Sequence, residues 1–119
     1  LNHPNMPKDY IPYWDFDASN IPDEPRDASA GCIIASALVE LSDYVDETKA
    51  KEYMTVVETQ IRTLSSPEYT AKLGENGDFI LMHSTGAYPF KSEVDCPLTY
   101  ADYYYLEALT RLKGKLNKQ

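Results

Sequence analysis

The sequence predicts an all-α fold, with about three main helices joined by long ordered loops and set out as part of a double ring of helices. Three observations carry this expectation. Two segments, near residues 27–44 and 98–113, are apolar on nearly every face, whereas the segment between them at 46–64 has a single apolar stripe. A helix that is apolar all round has to be covered on all sides, and a striped one keeps a wet face. The first 26 residues combine five of the eight prolines with several large apolar side chains, which marks an ordered loop rather than a tail.

Taken in order, the prolines at positions 4, 7, 12, 22 and 25 exclude a helix through residues 1–26, because each fixes φ and removes a backbone donor. Tyr10, Ile11, Tyr13, Trp14 and Phe16 in the same stretch need something to pack on. Asp27 is a natural N-cap for a first helix to about Tyr44, in which Ala30 to Leu41 is almost continuously apolar. The second helix, about Asp46 to Leu64, places Ala50, Tyr53, Met54, Val57, Ile61 and Leu64 on one stripe; with the first it makes a helical hairpin over 27–64. A short helix over Pro67–Leu73 follows, with Gly74 as its stop. A rim loop over 74–97 then contains a short extended run, Phe79 to Met82.

The last helix, 98–113, carries Tyr103, Tyr104 and Tyr105 in succession, and three consecutive side chains cannot share one helix face. The order is therefore buried, amphipathic, buried, which is that of inner, outer and inner helices in two rings. Burying one large apolar side chain stabilises by about 1.5–3 kcal/mol. Leaving several bare would cost about as much as the 5–15 kcal/mol that holds a domain together. One amphipathic helix cannot cover two such helices, so more chain or a partner subunit is expected to complete the core.

Composition removes several function classes. With 11 Lys plus Arg against 19 Asp plus Glu, the net charge of −8 repels nucleic acid and anionic membrane surfaces. No apolar run approaches the roughly 20 residues that span a bilayer, so a soluble protein is expected, with cytoplasm and periplasm both open. The chain begins Leu1-Asn2-His3 with no targeting stretch, which suggests processing or truncation upstream. Cys32 and Cys96 have no His or Cys at metal-ligand spacing and read as plain thiols.

The candidate chemistry is sparse. Asp15, Asp17, Asp23, Glu24 and Asp27 form an acidic cluster that could be read as paired carboxylates for glycoside chemistry, but in a loop their proximity fixes no separation, and capping and loop hydrogen bonding lead over catalysis, ligand contact and solvation. His83-Ser84-Thr85-Gly86 ends the apolar run Phe79–Met82 in a polar turn, which makes His83 and Ser84 candidate ligand contacts. No Gly-x-Ser-x-Gly elbow supports a nucleophile. Of the aromatic set Tyr13, Trp14, Phe16 and Tyr88, core packing explains most, and Trp14, flanked by a carboxylate, is the candidate sugar platform.

The residues also carry a resemblance. Tyr13-Trp14-Asp15-Phe16-Asp17-Ala18, Ile21-Pro22, Arg26-Asp27-Ala28-Ser29-Ala30, His83-Ser84-Thr85-Gly86, Tyr100-Ala101-Asp102-Tyr103-Tyr104 and Leu106-Glu107-Ala108-Leu109, in that order, resemble the C-terminal part of glycoside hydrolase family 88, the unsaturated glucuronyl hydrolases. The match runs from about Tyr10 to Leu112. It implies a fragment of one (α/α)6 barrel domain of the six-hairpin glycosidase type, spanning residues 1–119, with 98–113 as the final inner helix.

It implies an unsaturated oligosaccharide as substrate, the N-terminal remainder of the barrel as structural partner, and no metal or organic cofactor. The family's acid/base aspartates lie in the N-terminal half, so none is carried over and this chain alone is expected to be inactive. The expected substrate contacts are His83, Ser84, Lys91 and Trp14, with Lys91 meeting a carboxylate or sulfate. The related unsaturated rhamnogalacturonyl hydrolases are the nearest rival, and a non-catalytic helical interaction module is the alternative from another class.

Overall fold

A computed structural model describes residues 1–118. It contains three α-helices, α1 (Ala28–Leu41), α2 (Glu47–Leu64) and α3 (Thr99–Leu116), with single 3-10 turns at Asn76–Asp78 and Tyr88–Phe90 between the last two. The first helix packs against both of the others. No helix among the described residues is long and apolar enough to cross a membrane.

Each helix starts where a carboxylate can meet free amides, or where another segment supplies the partner. Asp27 caps α1, its Oδ1 accepting from the Ser29 amide at 3.0 Å and the Ser29 hydroxyl at 2.6 Å. The helix ends at Leu41, short of the expected Tyr44, because the Ser42 hydroxyl donates to the Val39 carbonyl at 2.6 Å as the chain turns away. Asp46 caps α2 by accepting from the Lys49 amide at 2.9 Å. On its wet face Lys51 pairs with Glu47 and Arg62 with Glu58, each at 2.7 Å, and such exposed pairs add only about 0.3–0.5 kcal/mol apiece.

No side chain caps α3. Instead Asp102 in its first turn accepts the backbone amides of Ile80 at 2.8 Å and Leu81 at 3.0 Å, so the helix start holds the extended run in place. The helix continues to Leu116, beyond the expected Lys113, and Lys113 and Lys115 in its last turn oppose the negative end of the dipole.

The expected short helix over Pro67–Leu73 is absent. The chain makes one turn, with the Tyr69 and Thr70 amides both donating to the Ser66 carbonyl. The Ala71 amide then donates to the Ile80 carbonyl at 2.9 Å, and the Met82 amide to the Tyr69 carbonyl at 2.8 Å. Pairing with the run Phe79–Met82 uses the backbone groups that a longer helix would need.

One core cluster joins every part of the chain: Ile11 from the N-terminal loop, Cys32 from α1, Leu64 from α2, Tyr69 and Leu81 from the connecting segment, and Tyr105 from α3. A second lies further along α1 and α2 around Leu38, Val39, Val56 and Val57. The N-terminal loop reaches the helices closely because Gly31 has no side chain; a Cβ there would stand 2.9 Å from the Ile11 Cδ1. Burial pushes the Cys32 thiol up to about 12, with Asp102 and Asp27 adding to the shift, so it packs as an inert small hydrophobe.

Several large apolar side chains of α1 and α3 are bare. Ile33 on α1 and Tyr103 and Leu106 on α3 are 41%, 60% and 50% exposed, on the two helices whose composition asks for cover on every side. On the α1–α3 seam itself, the Ser36 hydroxyl donates to Glu107 at 2.6 Å, and Arg111 reaches the Ser36 carbonyl at 3.0 Å and Glu40 at 2.9 Å.

Candidate substrate-facing site

The candidate residues gather where the N-terminal loop meets the segment 83–96, beside the N-terminus of α1. That segment folds back on itself. Ser84 and Cys96 exchange backbone hydrogen bonds at 3.0 and 2.9 Å, the Gly86 amide donates to the Glu93 carbonyl at 2.7 Å, and Ala87 pairs with Ser92 around the turn Tyr88–Lys91. Thr85 fastens it to the helix start, its amide donating to Asp27 at 3.2 Å and its hydroxyl to the Arg26 carbonyl at 3.0 Å.

Trp14 is held from two directions. Its indole Nε1 donates to Glu24 at 2.8 Å, and its ring stacks on Tyr88 with centroids 4.0 Å apart and planes at 15°. Beside the stack lies a cavity of about 580 Å³, lined by Trp14, Tyr88, Pro89, Lys91 and Val94. A second cavity, about 370 Å³, has Glu24, Arg26, Tyr69, His83 and Asp95 in its wall. His83 Nδ1 is 2.6 Å from Asp95 Oδ1, and the edge of the ring meets Tyr69 at 5.7 Å.

The backbone around this clasp is unusual. His83, Lys91, Glu93 and Asp95 all take positive φ, between 49° and 66°, a conformation costly for side chains other than glycine. Gly86 is required there by space rather than by φ, since a Cβ would fall 2.3 Å from a Glu93 carboxylate oxygen and 2.9 Å from the Tyr100 hydroxyl. Burial, then the nearby Asp27 and Glu93 carboxylates, raise the Tyr100 phenol, which keeps it a protonated donor.

Three of the four expected contact residues therefore line cavities, Trp14 and Lys91 one and His83 another. Ser84 does not. It is fully buried beneath the turn, and among the described residues its hydroxyl has no partner. The physical reason is that Ser84 pairs through its backbone with Cys96, which turns its side chain into the fold. Tyr13 is buried and Phe16 stacks on His3, so both pack rather than present a face. Glu24 and Asp95 are the partners that sequence reading passed over: the first sat in an acidic cluster with no fixed geometry, and the second meets His83 only because the loop closes.

Several of the acidic residues are occupied in this fold. Asp27 accepts from Ser29 and Thr85, Glu24 from Trp14 and Asn20, Asp15 from the Asp17 amide, and Asp95 faces His83. Among the described residues no group of three or more His, Cys, Asp and Glu is arranged to hold a metal ion.

No family model matches the chain. It is 48% identical over 118 residues to the unsaturated glucuronyl hydrolase of Formosa agariphila, covering 99% of this chain and 29% of that protein. It is 32% identical over 112 residues to the unsaturated glucuronyl hydrolase of Bacillus sp. GL1, covering 91% and 29%, and 31% identical over 108 residues to an unsaturated chondroitin disaccharide hydrolase of Streptococcus pneumoniae, covering 89% and 27%. Among solved structures, an unsaturated glucuronyl hydrolase specific for heparin superposes with a TM-score of 0.92 at 54% identity, over 99% of this chain and 31% of that one. The Bacillus sp. GL1 enzyme superposes at 0.81 with 28% identity, over 92% and 29%.

Fold and likeness together define a segment of an (α/α)6 barrel of the glycoside hydrolase class. Within that class the relatives it matches are unsaturated glucuronyl hydrolases, and the chain spans under a third of their length.

Proposed function

We propose that the chain is the C-terminal part of a single-domain barrel enzyme that releases 4,5-unsaturated uronic acid from lyase-generated oligosaccharides. The observation that carries this reading is the 48% identity across 99% of the chain to a glucuronyl hydrolase, joined to a TM-score of 0.92 with a second one. In the proposed reaction an aspartic acid protonates the vinyl ether double bond, water adds at C5, and the hemiketal opens. That acid is assigned to the part of the barrel outside this chain; of the carboxylates near the site, Asp27, Glu24 and Asp95 are engaged by backbone amides, by Trp14 and by His83.

This segment contributes a wall. His83, held by Asp95, offers its remaining ring nitrogen to substrate; Lys91 meets a carboxylate or sulfate against a net negative background; and Trp14 presents an indole face. Ser84 supports the turn from below. The remainder of the barrel covers Ile33, Tyr103 and Leu106. The relatives' names refer to heparin and to chondroitin disaccharides, which supports an anionic glycosaminoglycan fragment as substrate.

The test is loss of ultraviolet absorbance when unsaturated chondroitin or heparin disaccharides meet the complete protein and, separately, the 119 residues alone. The complete protein should consume the double bond without added metal. The isolated segment should not, since a wall without a proton donor lacks the 8 kcal/mol or more, in order of magnitude, by which enzymes lower barriers. Turnover by the segment would overturn the placement of the acid, and none by the complete protein would overturn the hydrolase reading.

A further inference from the structure

We propose that Asp27 is a positioning residue for the hydrolase: from the start of α1 it fixes the segment 83–96 and the N-terminal loop relative to each other, and substrate affinity depends on that spacing. The inference rests on the hydrolase reading and goes beyond it by giving a role to a residue outside the expected substrate contacts.

The N-terminus of α1 and the segment 83–96 are interlocked. The Ala28 amide, one of the free donors at a helix start, donates to the His83 carbonyl at 3.0 Å, and in return the Thr85 amide donates to the Asp27 carboxylate at 3.2 Å. The Thr85 hydroxyl adds a bond to the Arg26 carbonyl at 3.0 Å. Among the described residues these are the hydrogen bonds that join 83–96 to the N-terminal loop or to α1, and all of them fall at Arg26–Ala28. Asp27 holds the N-terminal loop as well, its amide donating to the Pro12 carbonyl at 2.8 Å, two residues before Trp14. The segment that carries Trp14 and the segment that carries His83 and Lys91 therefore meet at one residue.

A single oxygen makes the side-chain link. Asp27 Oδ1 accepts from the Ser29 amide at 3.0 Å and the Ser29 hydroxyl at 2.6 Å as well as from Thr85, so α1 orients the carboxylate and the carboxylate orients Thr85. Hydrogen bonds to an ionised acceptor are about twice as strong as neutral ones. A misplacement of about 1 Å in a group that holds substrate can cost as much as a hundredfold in rate. Capping alone does not require this arrangement. A serine caps a helix about as well as an aspartate, but its hydroxyl sits one bond closer to the backbone and withdraws the acceptor from Thr85.

The experiment uses the complete protein in four forms: wild type, Asp27→Ser, Asp27→Asn and Thr85→Val. For each, kcat and KM are measured with an unsaturated chondroitin disaccharide, together with amide exchange at Thr85 and thermal unfolding. In Asp27→Ser the expected result is a KM raised about tenfold with kcat within about threefold, faster exchange at Thr85, and a melting temperature close to wild type. Asp27→Asn keeps an acceptor oxygen in place and should return KM to within about threefold of wild type. Thr85→Val removes only the bond to Arg26 and should lie between the two.

A KM in Asp27→Ser within about twofold of wild type would overturn the proposal, and so would a raised KM with unchanged exchange at Thr85. An equal loss in Asp27→Asn would overturn it too, by assigning the effect to charge rather than position. Should Asp27→Ser fail to fold, Thr85→Val decides in its place, and a KM there within about twofold of wild type would make Asp27 a helix cap alone. Hydrolysis with an unchanged KM in the variants removes this role and leaves the hydrolase reading, whereas a wild type that consumes no double bond removes both.

Discussion

Removing the Asp102 carboxylate should loosen the segment that carries His83, and the size of the effect follows from two hydrogen bonds. Asp102 accepts the amides of Ile80 and Leu81 at 2.8 and 3.0 Å, and Leu81 is fully buried. Hydrogen bonds to a charged acceptor contribute about 1.5–3 kcal/mol each, less where solvent can replace the lost partner. Asp102→Ala leaves two donors with no protein partner beside a half-buried position, so a loss of about 3 kcal/mol is expected. Asp102→Asn keeps one acceptor and turns a donor toward the other amide, which should cost about half to two-thirds as much.

The assay is denaturant unfolding of the complete protein, read at the midpoint with the slope unchanged, together with amide exchange at Ile80 and Leu81. Exchange at these two amides should accelerate by about a hundredfold in Asp102→Ala. Because the run leads directly into His83, kcat/KM should fall as well, and Asp102→Asn should lie between. A midpoint corresponding to less than about 0.5 kcal/mol of destabilisation, or unchanged exchange at Ile80 and Leu81, would refute the idea that Asp102 holds this run to α3.

Gly31→Ala should destabilise by about 1–3 kcal/mol, since its Cβ would stand 2.9 Å from the fully buried Ile11; adding Ile11→Val removes the clashing methyl and should recover part of the loss in a double-mutant cycle. His83→Ala should lower kcat/KM by about 1–3 kcal/mol with little change in melting temperature, and a lower melting temperature with intact kinetics would instead make the Asp95 clasp purely structural. Acid should weaken the α1–α3 seam. The hydrogen bond from Ser36, with Arg111 and Tyr103 after it, holds the Glu107 carboxyl below its usual range and outweighs the opposing effect of desolvation. A depressed carboxyl stabilises the fold above its unfolded value and loses that contribution as pH falls through its folded value, so Glu107→Gln should flatten the acid limb of the stability profile.

Much of the architecture was legible because it depends on neighbours in sequence. The apolar faces of 27–44 and 98–113, the stripe of 46–64 and the caps at Asp27 and Asp46 are local signals, and α1, α2 and α3 form there. Their ends shifted by a few residues, since Ser42 turns the chain early and Lys113 and Lys115 let α3 continue. Trp14, His83 and Lys91 could be chosen from composition and context, as an aromatic beside a carboxylate, a polar turn after an apolar run, and a cation following it.

The tertiary structure decided what depends on distant pairing. The residues of Pro67–Leu73 are able to form a helix, but the run Phe79–Met82 claims their backbone groups. Ser84 and His83 are adjacent in sequence and look alike as ligand contacts, yet one is buried by its pairing with Cys96 and the other is turned toward Asp95. Asp102 reads as an ordinary first-turn acid until two amides from another segment reach it. Trp14 and Tyr88 are only two of many aromatics in sequence; they become a stack because the loop and the turn converge beside α1. The physical reason is the same throughout. Helix periodicity is a property of a few consecutive residues, whereas the direction of a loop side chain is set by whichever distant donor, acceptor or ring arrives to meet it.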